Sequence, residues 1–141
     1  MPINSFNPDN VWKPFGAFSQ AVVLGSGKII HLKGQVPLDV EGNIVGEGNI
    51  EIQVEKVLEN IQSILSCFGG RMEDIFSLTH YVTNIDEFMT TGHIRTEYFK
   101  SPYPVTTTIE VSRLYHPDLM VEITSSAEIP LDRYKERRDD E

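Results

Sequence analysis

Side chains able to do chemistry are sparse in this chain. His31, His80, His93 and His116 show no close-spaced ligand motif, so a zinc or iron site would have to assemble from distant positions, and no metal is expected. Cys67 stands beside Phe68 near the end of an apolar-striped segment and reads as a small core residue, not a nucleophile. No Gly-x-Ser-x-Gly, P-loop or dinucleotide fingerprint is present, and Gly25-Ser26-Gly27 alone is only a turn. Three features remain. Glu122 lies in a run where Met120, Glu122, Thr124 and Ser126 alternate with Val121, Ile123, Ser125 and Ala127, so its carboxylate either meets solvent or lines a cleft. Thr106, Thr107 and Thr108 form a run of hydroxyls, although β-branched residues favour strands for packing reasons alone. Lys33 offers a cation that could serve a cleft or simply discourage edge-to-edge aggregation.

The elements that must carry these residues follow from periodicity. Ser19 to Leu24 and Lys28 to Val36 read as two antiparallel strands, joined by a tight hairpin in which Gly25 and Gly27 take positive φ. Ile44-Val45 reads as a short edge strand. From Ile50 to Phe68 the apolar positions Val54, Val57, Leu58, Ile61, Leu65 and Phe68 fall on one helical face, and Gly69-Gly70 ends the helix. Phe76, Leu78, His80 and Val82 alternate with polar residues in a further strand. A second helix, capped by Asn84 or Asp86, is expected to carry Phe88, Met89, Gly92, Arg95 and Phe99 on one side and to stop at Ser101-Pro102. Val105 to Ser112 and Met120 to Ile129 complete the strands. Two helices and five or six strands predict an α+β fold, a mixed sheet with both helices on one face. A partner subunit would cover the other face if that face were apolar.

The chain has 141 residues, enough for one domain with its own core and no disulfide. We read residues 1–141 as a single domain with its core at 16–129. The highly charged tail from about residue 131 to 141 is expected to fray. The net charge is −9, and removing the last twelve residues still leaves eight basic against sixteen acidic side chains. Such a surface repels phosphate backbones and anionic headgroups, so neither nucleic acid nor membrane is an expected partner. With no leader-like start and no apolar run long enough to span a bilayer, the chain is read as soluble and cytoplasmic.

Several blocks together resemble the YjgF/RidA (Rid, or L-PSP) superfamily: Gly16-Ala17-Phe18-Ser19-Gln20-Ala21, Gly34-Gln35-Val36-Pro37, Leu58-Glu59-Asn60-Ile61, Glu97-Tyr98-Phe99, and Glu110-Val111-Ser112-Arg113-Leu114 followed by Val121-Glu122-Ile123. The resemblance implies a chorismate-mutase-like fold and a homotrimer with three intersubunit clefts. For the best-understood branch it also implies cofactor-free hydrolysis of small enamines and imines, such as 2-aminoacrylate, to keto acids and ammonia. Glu122 matches the glutamate associated with the catalytic water, and Gly34 a residue whose backbone approaches the ligand. Where the branch reads Pro-Ala-Arg-Ser, with the arginine gripping the substrate carboxylate, this chain reads Pro104-Val105-Thr106-Thr107. A hydroxyl cannot replace that planar charged fork. Phe18 stands for the aromatic of the Gly-Pro-Tyr block without its phenol, and Gly92 for an asparagine early in the second helix.

The expected site is therefore Glu122 as the catalytic group, with Phe18, Lys33, Gly34, Gly92, Thr106 and Thr108 around a small substrate. Lys33 would restore part of the lost charge, His93 and Arg95 would sit at the rim, and Arg113 would pair with Glu110. The expected function is an enamine or imine deaminase of altered specificity. A trimeric binding or regulatory protein without turnover is the alternative, and a ribonuclease fits poorly with the charge.

Overall fold

The structure, a computed structural model, describes residues 3–137. Its longest helix, α1 (Ile50–Ser66), begins where Asn49 Oδ1 accepts from the Ile52 N–H at 3.0 Å and buries Val54, Val57, Leu58, Ile61 and Leu65 as the apolar spacing predicts. Gly69, at φ +77°, turns the chain out of the helix, with the Gly70 N–H bonded to Leu65 O. Gln53 is a buried polar residue within the apolar stripe. Its amide donates to Gly46 O and Asp118 O and accepts from the Met120 N–H, so both loops are tied to the helix and no polar group is left unmatched.

The helix packs on a four-stranded mixed sheet of β3 (Lys28–Gln35), β6 (Val121–Ile129), β4 (Ile75–Val82) and β5 (Val105–Glu110), in that spatial order. β6 runs antiparallel to both neighbours, whereas β4 and β5 are parallel. Val121, Ile123, Ser125 and Ala127 are buried with Leu32, Leu78, His80 and Val82 on the helix side. Glu122, Thr124, Ser126 and Glu128 occupy the other face with Tyr81, Thr79 and His31. That second face is mostly polar, with Ile29 and Ile109 as exposed apolar residues.

The chain departs from its sequence reading at several places. β2 (Ala21–Val23) does not pair with β3; it forms a separate two-stranded sheet with β1 (Asn4–Phe6). Gly25 and Gly27 are not at positive φ. Their N–H groups instead donate to the two carboxylate oxygens of Glu128 at 2.9 and 2.7 Å, a side-chain anchor that replaces the hairpin turn. The second helix is two short ones, α2 (Ile85–Met89) and α3 (Gly92–Tyr98), making three α-helices among the described residues. The buried Thr91 Oγ1 donates to Phe88 O at the break. In β4 a register shift next to Phe76 buries Ile75 in its place. Finally, the tail is held through residue 135: Arg133 bonds Asp74 and Gly69 O, the Lys135 N–H bonds Phe68 O, and the Lys28 ammonium lies over the Tyr134 ring. The expected fraying at 138–141 lies outside the described residues. Ile44 makes only an isolated bridge to Leu38.

Candidate active site

A cleft of about 530 Å3 opens on the helix side of the sheet, where β5 forms the edge. Its floor carries Thr106 and Thr108, which sit opposite Leu78 and His80 in the parallel ladder. His80 is almost wholly buried, and its Nδ1 lies 2.9 Å from Thr108 Oγ1. Burial first, and the nearby Arg95 charge second, push His80 down to about 3, so near neutrality its ring is uncharged.

Above the floor stands a stack. The His80 and Phe88 rings are 5.0 Å apart, and the Arg95 guanidinium lies 4.5 Å from the Phe88 centroid. Arg95 comes from α3 and lines the cleft. Burial holds its guanidinium below the usual arginine range, its Nε is buried without a hydrogen-bond partner, and among the described residues no carboxylate forms an ion pair with it. Gly92 keeps the approach open: a Cβ there would first meet Arg95 Nη2, at 3.9 Å, so a long side chain would reach the guanidinium.

The outer wall is aromatic. Trp12, Phe15 and Phe18 form a mutual cluster with centroids 5.2 to 5.8 Å apart. Their loop is fixed to the sheet edge by Ser19, whose N–H bonds Pro104 O and whose hydroxyl bonds Tyr103 O, while Gln20 Nε2 bonds Trp12 O. Trp12 is 60% and Phe15 81% exposed, so this wall faces a potential ligand more than the core.

Glu122 is not in this cleft. It points to the opposite face of the sheet, half-buried, against Gly34 at the register shift between Leu32 and Gln35. A Cβ at Gly34 would stand 3.1 Å from Glu122 Cδ and closer still to its Oε2, so any side chain there would have to displace the carboxylate. The seven expected site residues thus divide within one chain. Phe18, Gly92, Thr106 and Thr108 converge on the cleft, while Glu122 and Gly34 adjoin each other behind it. Lys33 is exposed, and no ion pair joins it to Glu122 among the described residues. The other rim and pairing expectations also shift. His93 lies 3.9 Å from Glu51 on α1, Arg113 Nε bonds Leu114 O, and Glu110 receives the Ile85 N–H in place of Arg113. Sequence reasoning missed His80 as part of the floor and placed Arg95 only at the rim. The signal available for His80 was its position on the buried face of an alternating strand.

A sequence model of the family described as endoribonuclease L-PSP matches residues 9–129, which span both the cleft and Glu122. The chain belongs to the endoribonuclease L-PSP family. This is the YjgF/RidA superfamily that its motif blocks resemble. A RutC family protein of Pyrococcus horikoshii is 34% identical over 119 residues, covering 84% of this chain and 92% of that protein. A 2-iminobutanoate/2-iminopropanoate deaminase of Dermatophagoides farinae is 28% identical over 102 residues, 72% of this chain and 78% of that protein. Among solved structures, the Rid-family protein of unknown function YyfB from Yersinia pestis superimposes with a TM-score of 0.82 at 29% identity, over 92% of this chain and all of that one. The L-PSP fold seen here is accordingly a mixed α+β fold shared with Rid proteins. No helix among its described residues is long and apolar enough to cross a membrane.

Proposed function

We propose that the protein is a cofactor-free hydrolase of small enamines or imines, acting at a cleft completed by a second copy of the chain. The observation that carries this reading is the division of the site: a ligand-sized cleft with two hydroxyls and a guanidinium on one face, and a sheltered glutamate on the other. In a cyclic oligomer, a head-to-tail interface sets one face of each copy against a different face of the next, so Glu122 of one protomer would reach the cleft of its neighbour. A homotrimer is the assembly this reading adopts.

The chemistry asks little of the protein. An enamine first takes a proton on carbon to become the protonated imine. Water then adds to the carbon of this protonated imine, forming the C–O bond as one water proton passes to the Glu122 carboxylate and the C=N π pair moves onto nitrogen. The C–N bond of the resulting carbinolamine breaks, ammonia leaves with the proton returned by Glu122, and loss of the hydroxyl proton gives the carbonyl. Thr106 and Thr108 supply hydroxyls that orient the substrate on the floor. The net charge of −9 weighs against a phosphate backbone as the substrate.

The test generates imines in situ with an amino-acid oxidase and follows their capture by semicarbazide. The protein should divert imine from the trap and Glu122→Gln should not. Co-expressing Glu122→Gln with a cleft-blocking Gly92→Trp chain should then restore activity, because about a quarter of the clefts in a randomly mixed cyclic oligomer unite an open cleft with an intact glutamate. Full activity in Glu122→Gln would defeat the catalytic assignment, and no recovery on mixing would defeat the shared site.

A further inference from the structure

The Arg95 guanidinium is the unexplained charge of this molecule. It is partly withdrawn from water, its Nε has no partner, no carboxylate pairs with it among the described residues, and it is the sole cation among the cleft-lining residues. A guanidinium in that state lacks the partner that its burial calls for. Among the described residues the cleft lining holds no acid, which leaves room for a ligand's anion as the partner.

We infer that Arg95 is the anion anchor of the cleft, and that the ligand it anchors is a small planar carboxylate bearing an apolar, flat substituent. The geometry favours this class on three counts. The guanidinium lies 4.5 Å from the Phe88 centroid, and a guanidinium carries paired N–H groups that can make two parallel bonds to a carboxylate. A lone guanidinium suits a monoanion better than a phosphate dianion, for which the cleft lining holds no second cation. Opposite the anchor, Trp12, Phe15 and Phe18 present an exposed aromatic wall on which a flat apolar group can stack.

Arg95 thereby supplies from α3 the charge that Thr106 does not supply from β5, and the aromatic wall shifts preference toward side chains larger than a methyl group. For the hydrolase proposed above, the substrate class is then an aromatic or bulky apolar 2-imino acid and the product its 2-oxo acid. The inference rests on the cleft being the small-molecule site of that reading and does not require turnover.

Binding tests it with stable compounds, followed by calorimetry and by the fluorescence of Trp12, the single tryptophan of the chain. Phenylpyruvate should bind at least tenfold more tightly than pyruvate, and phenylacetate at least tenfold more tightly than its uncharged isostere phenylacetamide. Arg95→Gln should lower phenylpyruvate affinity tenfold or more and leave phenylacetamide unchanged, with Arg95→Lys in between. Equal binding of acid and amide by the unaltered protein overturns the inference without any variant. So does absence of binding by all four compounds, or undiminished acid binding in Arg95→Gln. Acid binding that appears only in Glu122→Gln would mean that a neighbour's glutamate already satisfies Arg95, and would likewise overturn it. Acids held through Arg95 with no imine hydrolysis would remove the hydrolase and leave the anchor. Imine hydrolysis indifferent to Arg95→Gln would do the reverse.

Discussion

His80 Nδ1 lies 2.9 Å from Thr108 Oγ1 across the parallel pair β4 and β5, so a buried, uncharged imidazole holds a hydroxyl of the cleft floor. The bond couples the cleft to the core, because the same ring packs on Phe88, whose other neighbour is Arg95. Protonating His80 would put a second positive charge into this stack.

Acid should therefore weaken the fold through His80. Its folded pKa is lowered from 6.5 to about 3, so between these values the unfolded chain binds a proton that the folded chain refuses. Its contribution is fully present above 6.5 and is lost as the pH falls toward 3, by about 1.4 kcal/mol per pH unit within that window. Urea unfolding from pH 7 to 4 should show this slope as the difference between the unaltered protein and His80→Gln. Parallel curves would contradict it.

Gly34→Ala should separate chemistry from folding. The backbone at Gly34 is not at positive φ, and the obstacle to a methyl group is the end of the flexible Glu122 side chain, so the fold should survive. The carboxylate must move. Imine turnover should fall about a hundredfold, the scale of a displaced general base, with phenylpyruvate binding unchanged. Unaltered kcat would show that the position of Glu122 is not what turnover needs.

Arg133→Met should destabilise the protein although residue 133 lies in the charged tail. Asp74 is buried, accepts two bonds from the Arg133 guanidinium at 2.9 and 2.5 Å, and otherwise keeps the Arg71 N–H. That pairing holds the Arg133 guanidinium above its ordinary range. Because the arginine is itself partly open to water, the expected loss is about 2 kcal/mol, below that of a fully buried pair. Denaturant midpoints of the variant and of a chain ending at residue 131 should fall together; an unchanged midpoint in both would show that the tail contributes nothing.

Local patterns made α1, β4 and β6 legible, since each buries one face at a period its apolar residues declare, whereas β5 showed itself only by its β-branched run. What the sequence hid was settled by distant partners. The Gly25 to Gly27 turn is held by Glu128, more than a hundred residues away, and β2 turns to β1 when no hairpin forms. The break between α2 and α3 depends on the buried Thr91, in a stretch whose apolar spacing reads as one helix. Of the site, the glycine beside Glu122 and the threonines of the floor were recognisable from motif blocks. Arg95 was legible only as a rim residue, because nothing local distinguishes a surface arginine on a short helix from one leaning over a phenylalanine toward a sheet edge.

The aromatic wall is borne by a stretch of chain that precedes the main sheet and lends little to its interior. Selectivity in this scaffold is consequently modular. Residues 12 to 18 can be rewritten to suit another guest while β3 to β6 stay untouched, which makes that arm the natural place to graft new recognition.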